Sequence, residues 1–164
     1  MTARTLIFMR HGKSAYPTGV GDHDRPLAPR GDREAALAGD WLRAEQPPID
    51  AVLCSTSVRT RETLARTGIE APVTFDDAIY GGSPEQIIRL VKETDDAVAT
   101  LLVIGHAPGM PWTTWELAAN RDSPAADQIS RKFPTSALSV LHFDKSWADI
   151  DTGLADLATF HVPR

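Results

Sequence analysis

The chain of 164 residues has little cysteine, few aromatic residues and no long apolar segment. Its one cysteine, Cys54, allows no internal disulfide bond, which is typical of a reducing compartment, and we expect a cytoplasmic protein. No apolar segment approaches the roughly 20 residues that a membrane span needs. The N-terminal segment also lacks the pattern of a signal peptide. We therefore expect a protein that does not enter a membrane.

An excess of positive charge is also absent. The chain has 17 Lys and Arg residues against 22 Asp and Glu residues, so its net charge is −5, which argues against a nucleic-acid partner. Hydrophobic and charged contents of 42% and 24% are ordinary for a globular protein. Because the sequence shows no repeat, low-complexity tract or linker, we expect one domain over residues 1–164.

Strand-like and helix-like segments alternate along the chain. This order predicts a three-layer α/β/α sandwich with a mostly parallel central sheet and an antiparallel C-terminal extension. The strands are expected at 6–9, 51–54, 73–75, 101–104 and 136–143, and from 150 to 162. The helices are expected at 31–45, 57–67, 83–93 and 108–119, and residues 120–134 are expected to form an irregular polar loop.

The triplet Arg10-His11-Gly12 directly follows the apolar strand at 6–9. Open α/β sheets bind their ligands outside the carboxyl ends of the strands, so the triplet lies where such a fold places its chemistry. Gly12 allows the backbone to approach a ligand closely. Alone, the triplet is equally typical of a surface ion pair beside a histidine that caps a turn.

Two further strands carry matching residues at their carboxyl ends. His106 follows the strand at 101–104, and Arg59 lies in the first turn of the helix that follows the strand at 51–54. Two arginines can donate forked hydrogen bonds to phosphate oxygens, and two imidazoles supply a nucleophile and a further donor. Together with Arg10 and His11 they predict a site for phosphoryl chemistry that needs no metal and no cofactor.

Five segments of the chain resemble those of one known family. Residues 6–14 (LIFMRHGKS), 54–63 (Cys-Ser-x-x-x-Arg-x-x-x-Thr) and 103–109 (VIGHAPG) resemble the signatures of the histidine phosphatase superfamily, which is also called phosphoglycerate-mutase-like. Residues 22–31 and 132–138 are similar to the short phosphohistidine phosphatases of the SixA type. The resemblance covers nearly the whole chain, and the joint order and spacing of these segments make it specific.

The resemblance implies a role for each site residue. His11 would attack phosphorus and become a transient phosphohistidine, while Arg10, Arg59 and His106 hold the phosphoryl oxygens. A neutral His11 and a charged His106 would require two environments that separate their pKa values. Ser14 could donate to a phosphate oxygen, or it could cap a turn.

The residue at the expected position of the general acid differs from the family pattern. Larger members use a carboxylic acid in a Glu-Arg-x-Tyr-like string, and residues 76–80 (DDAIY) place Asp77 at the position of that acid. Asp77 is shorter than glutamate, and it could instead belong to a solvated acidic turn. A phosphohistidine leaves as imidazole and needs less help than an alkoxide. Aspartate in place of glutamate therefore favours a phosphoramidate substrate over an unactivated phosphomonoester.

The function expected from these residues is a phosphatase that acts on phosphohistidine in a partner protein, such as a histidine-containing phosphotransfer domain. The alternatives are a phosphatase of small phosphomonoesters and a phosphoryl-binding module without turnover. Four residues separate Cys54 from Arg59 and six separate it from Arg61, whereas cysteine phosphatases place five residues between the two groups, so we expect a buried thiol. His23 matches no zinc signature, and we expect its neighbours Asp24 and Arg25 to pair and order their loop.

Overall fold

A computed structural model describes residues 3–164, and within that range the chain forms six β-strands and six α-helices. The strands are β1 (Arg4–Arg10), β2 (Ala51–Cys54), β3 (Val73–Phe75), β4 (Thr100–Gly105), β5 (Leu138–Phe143) and β6 (Asp156–His161). The helices are α1 (Pro29–Glu45), α2 (Val58–Thr67), α3 (Ala78–Gly81), α4 (Pro84–Lys92), α5 (Gly109–Leu117) and α6 (Pro124–Arg131). Short 3₁₀ turns occur at Asp22–Asp24 and Trp147–Asp149.

The strands form one mixed sheet in the order β3-β2-β4-β1-β5-β6. The four strands from β3 to β1 pair in parallel, whereas β5 pairs antiparallel with β1 and β6 pairs antiparallel with β5. The predicted fold class, with its antiparallel C-terminal extension, is therefore confirmed. Because β2, β4 and β1 are adjacent and parallel, their carboxyl ends meet at one edge of the sheet.

Both faces of the sheet are covered by helices, as the alternation of side chains along β1 shows. Leu6 and Phe8 pack with apolar residues of α3, α4, α5 and α6 on one face. Ile7 and Met9 pack on the other face with residues of α1 and α2. All four side chains are fully buried, which explains why the strand is an uninterrupted apolar segment rather than an alternating one.

Two glycines hold the start of α1 against the loop that follows β1. A Cβ atom on Gly31 would lie 2.2 Å from the carbonyl oxygen of Lys13, and one on Gly12 would lie 2.9 Å from the carbonyl oxygen of Gly31. The amide of Ala28 donates to the same Lys13 carbonyl at 2.8 Å. This close backbone contact fixes the loop that carries the residues after His11.

The prediction of an irregular loop at 120–134 is wrong, because α6 lies within it. Ser123 caps this helix by accepting a hydrogen bond from the amide of Ala126, and Pro124 occupies its first turn. Ala126 and Ile129 form the buried face of the helix. The last strand is also shorter than expected, since β6 begins at Asp156 after a turn in which Gly153 has a φ of 71°.

Candidate active site

The carboxyl ends of β1, β2 and β4 surround a cavity of about 420 Å³. The sequence-predicted residues that line it are Arg10, His11, Ser14, Arg59 and His106. Arg10 is the last residue of β1, His11 follows it, and His106 follows β4. Arg59 reaches the same cavity from the first turn of α2. The tertiary structure therefore brings these side chains together at one edge of the sheet.

His11 is nearly buried at the base of this cavity, with 6% of its surface exposed. Its Nδ1 lies 2.7 Å from the carbonyl oxygen of Gly12, so Nδ1 carries the hydrogen and donates it. Its Nε2 therefore holds a lone pair, which accepts a hydrogen bond from Nε of Arg59 at 3.4 Å. Burial, with a smaller contribution from the Arg59 and Arg10 charges and against the opposing Gly12 hydrogen bond, lowers the pKa of His11 from 6.5 to about 4. The imidazole is therefore neutral at neutral pH, with its lone pair on Nε2.

The two arginines line the same cavity as His11, and each is anchored by hydrogen bonds. Arg10 donates to the carbonyl oxygen of Phe133 at 3.0 Å. Arg59 donates to the backbone oxygen of Asp22 at 2.6 Å and to its carboxylate at 3.1 Å. These contacts hold two guanidinium groups at the cavity, where each planar group can donate paired hydrogen bonds to phosphoryl oxygens.

His106 faces His11 across the cavity, with 5.2 Å between their ring centroids. Its Nε2 lies 2.8 Å from Oγ of Ser55. Burial, with a smaller contribution from the adjacent His11 and Arg59, lowers the pKa of His106 from 6.5 to about 3. The resemblance implied a charged His106, whereas in the structure both imidazoles are neutral at neutral pH. The reason is that His106 is buried beside other cationic or titratable groups.

Ser14 lines the cavity as a buried residue, and its backbone forms an isolated antiparallel bridge with Leu27. This bridge ties the loop after β1 to the segment that leads into α1. The position allows the hydroxyl to reach a bound phosphoryl group, and that role stays a prediction.

Asp77 does not line the cavity, so the structure does not bring the expected general acid to His11. Its exposed side chain accepts a hydrogen bond from Thr56 immediately before α3. Thr56 also lies 2.9 Å from Nε2 of His23, so these contacts form a separate surface cluster. The turn after β3 directs Asp77 toward this cluster rather than toward the nucleophile.

Asp22, Arg25 and Tyr80 are among the cavity residues that the sequence did not predict as site residues. Arg25 pairs with Asp22 at 3.3 Å, and not with Asp24 as expected, because the 3₁₀ turn brings residues three apart onto one side. The Arg25 guanidinium also lies 4.0 Å from the ring centroid of Tyr16. The Asp-x-x-Arg spacing at 22–25 was the available sequence signal.

The carboxylate of Asp22 is held ionised in this network. Tyr80 donates its hydroxyl hydrogen to Asp22, and this bond, followed by that from Arg59, lowers the pKa of the carboxyl group. The Tyr80 ring meets His106 edge-on, with 5.3 Å between centroids. Asp22 is thus an anion that orients Arg59 at the cavity, and its low pKa makes it a poor proton donor.

Cys54 lies in the core at the end of β2 and does not line the cavity. Burial raises the pKa of its thiol to about 12, so the thiolate is not populated at neutral pH. The expectation of a buried thiol is confirmed.

Within residues 3–164, no helix combines the length and apolar character that a membrane crossing requires. The same part of the chain shows no group of three or more His, Cys, Asp or Glu side chains arranged to hold a metal ion.

The fold and the site define a phosphatase, a hydrolase that works on phosphoryl groups. The family model of the histidine phosphatase superfamily (branch 1) matches residues 6–80, which include Arg10, His11 and Arg59. An uncharacterized protein of Mycobacterium tuberculosis is 53% identical over 158 residues, which cover 95% of this chain and 100% of that protein.

Two further relatives carry the SixA name. The solved structure of a SixA-type protein from Nakamurella multipartitia is 43% identical and superposes with a TM-score of 0.92, covering 99% of this chain and 98% of that one. The phosphohistidine phosphatase SixA of Escherichia coli is 29% identical over 148 residues, which cover 86% of each protein. The chain therefore belongs to the histidine phosphatase superfamily, in its SixA-type branch.

Proposed function

We propose that this phosphatase hydrolyses phosphohistidine on a partner protein through a covalent phosphohistidine on His11. The observation that carries the proposal is the state of that imidazole. Its Nδ1 donates to the Gly12 carbonyl, and its Nε2 holds a lone pair whose one contact is a long hydrogen bond of 3.4 Å from Nε of Arg59. A buried neutral nucleophile between two guanidinium groups suits attack on an anionic phosphoryl group.

The first step transfers the phosphoryl group to the enzyme. Arg10, Arg59 and His106 hold its oxygens while Nε2 of His11 attacks phosphorus in line. A bond forms between Nε2 and phosphorus as the bond between phosphorus and the substrate nitrogen breaks. When the substrate imidazole carries a proton on its other nitrogen, it leaves as neutral imidazole with the electron pair of the broken bond.

The second step releases inorganic phosphate. Water attacks phosphorus, the electron pair of the nitrogen–phosphorus bond returns to Nε2 of His11, and the water proton passes to solvent. Nδ1 keeps its hydrogen throughout, because the Gly12 carbonyl accepts it in every state. The positive charge comes from the arginines, so the proposal requires no metal ion and no cofactor. Ser14 is proposed to donate to a phosphoryl oxygen.

The leaving group supports a phosphoramidate substrate. An alkoxide needs a proton from a carboxylic acid, but Asp22 is held ionised and Asp77 is bonded to Thr56 outside the cavity. An imidazole that already carries a proton on its other nitrogen leaves in its neutral form without such an acid. The name of the Escherichia coli relative supports the same substrate class, and a histidine-containing phosphotransfer domain is the partner that we propose to test.

Trapping of the intermediate tests the nucleophile. The protein is mixed with an isotope-labelled phosphohistidine protein and quenched in alkaline denaturant, in which phosphohistidine survives, and the label is located by mass spectrometry. We expect label on His11 in the wild type and none in His11→Ala. His142→Ala, which changes an exposed histidine on β5, is the matched control and should label normally. Wild-type turnover by His11→Ala would disprove the proposed mechanism.

A rate comparison tests the substrate. Initial rates are measured for a phosphorylated phosphotransfer domain, a small phosphoramidate, phosphoserine and a panel of sugar phosphates. We expect the largest kcat/KM for the phosphohistidine protein. A preference for sugar phosphates or phosphoserine would instead support the small-phosphomonoester alternative, and binding of phosphate without turnover would support the binding module.

A further inference from the structure

We propose that Ser55 is a positioning residue that fixes the tautomer of His106, so that Nδ1 of His106 donates a hydrogen bond to the phosphoryl group. This inference rests on the proposed function of the cavity. Ser55 is fully buried at the end of β2, and its Oγ lies 2.8 Å from Nε2 of His106. Nδ1 of His106 is buried and has no hydrogen-bond partner among residues 3–164.

Ser55 is held in place by its backbone. Its amide donates to the carbonyl oxygen of Ile104 at 3.0 Å, which extends the pairing of β2 with β4. Its own carbonyl oxygen accepts a hydrogen bond from the hydroxyl of Thr60 in α2 at 2.9 Å. Ser55 is therefore fixed between the strand that leads to His106 and the helix that carries Arg59.

The direction of the Ser55–His106 hydrogen bond follows from the other contacts of the hydroxyl group. Oγ of Ser55 accepts a hydrogen bond from the amide of Ser57 at 3.4 Å, and its remaining contact is Nε2 of His106. If Nε2 carried a hydrogen, the hydroxyl hydrogen of Ser55 and the lone pair on Nδ1 of His106 would both be left without a partner in a buried site, which is costly, whereas donation by Ser55 leaves only the Nδ1–H to be accepted by a ligand. The hydroxyl therefore donates to Nε2.

This direction decides what His106 offers to a substrate. A neutral imidazole has a single N–H group, and when Nε2 accepts from Ser55 that group is at Nδ1. The burial that lowers the pKa of His106 keeps the ring neutral, so the tautomer rather than a charge determines its role. His106 lines the cavity and Nε2 is engaged, so we infer that a bound phosphoryl oxygen approaches Nδ1, which is enclosed in the unliganded structure. The opposite tautomer would present a lone pair there and repel the oxygen.

Nitrogen NMR of isotope-labelled histidine tests the tautomer directly. In the wild-type protein at neutral pH, we expect a hydrogen on Nδ1 of His106 and a lone pair on Nε2. Titration with inorganic phosphate should shift the Nδ1–H resonance. A wild-type His106 protonated on Nε2 would overturn the inference, and this readout needs neither turnover nor a variant.

Variants extend the test to activity. In Ser55→Ala we expect a mixture of His106 tautomers. We also expect kcat/KM on phosphohistidine to fall about tenfold to a hundredfold, which is less than the fall that follows complete removal of an oriented hydrogen-bond donor. Ser55→Thr keeps the hydroxyl and should restore the wild-type tautomer. Ser139→Ala removes an equally buried hydroxyl on β5 and is the matched control. A Ser55→Ala protein with the wild-type tautomer and rate would refute the positioning role, whereas a wild type without phosphohistidine hydrolysis would refute only the proposed function.

Discussion

The two buried histidines are expected to make the protein lose stability between pH 7 and pH 5. Their pKa values in the folded protein, about 4 for His11 and about 3 for His106, lie below the usual 6.5 of an unfolded chain. As the pH falls, the unfolded chain therefore binds protons before the folded protein does, and the free energy of unfolding decreases. The loss begins near the unfolded pKa and levels off only below the folded ones.

The size of the effect follows from these pKa differences. One pH unit between the folded and unfolded pKa corresponds to about 1.4 kcal/mol when fully expressed. Near pH 5 the unfolded chain has bound nearly one proton at each histidine and the folded protein very few, so each contributes a loss of about 2 kcal/mol. Together they remove about 4 kcal/mol, a large fraction of the roughly 5–15 kcal/mol that stabilises a typical domain.

Urea unfolding at the two pH values measures this loss. The wild type is compared with His11→Asn, His106→Asn and the double variant, with His142→Asn as the exposed control. We expect each single variant to lose about 2 kcal/mol less than the wild type between the two pH values. The double variant should show the flattest dependence. If the double variant and the wild type gave parallel pH dependences, the assignment of these two groups as the cause would fail.

Four further outcomes are expected. Asp77→Asn should change kcat/KM on phosphohistidine by less than about threefold, whereas a hundredfold loss would restore Asp77 as a general acid. Asp22→Asn removes the carboxylate charge that orients Arg59, so inorganic phosphate should inhibit about fivefold more weakly, and tighter inhibition would contradict that orienting role. Gly31→Ala should destabilise the protein by about 1–3 kcal/mol in thermal unfolding, because its Cβ would overlap the Lys13 carbonyl, while Gly21→Ala, with open space around it, should not. Cys54 should resist alkylation in the native protein and react after unfolding, and rapid native labelling would contradict its burial.

The cavity residues that were predicted from the sequence share one property. Arg10, His11 and His106 each lie immediately beyond a buried apolar strand, and Arg59 lies one short turn beyond another. Fully buried parallel strands are the most recognisable local pattern in this chain, and their carboxyl ends meet by the geometry of the sheet. The position of these side chains could therefore be predicted without knowledge of any side-chain contact.

The helix α6 shows where local pattern was insufficient. It has eight residues, of which only Ala126 and Ile129 are buried, so its apolar periodicity is too short to separate from a polar loop. Its Ser-Pro start at 123–124 matches the Ser83-Pro84 start of α4, and that capping pair was the signal available. Short helices depend on the surface against which they pack, which the sequence alone does not describe.

The sequence by itself determined the order of the strands and of the four longer helices, the sheet edge at which the cavity lies and most of the side chains delivered there. Only the tertiary structure decided how those side chains are oriented and charged. Asp22 contacts Tyr80 across 58 positions of sequence, and Ser55 contacts His106 across 51. The pKa of a buried group depends on such distant neighbours and on solvent exclusion. For this reason the neutral state of both histidines, the ionised Asp22 and the displacement of Asp77 from the cavity emerged only from the fold.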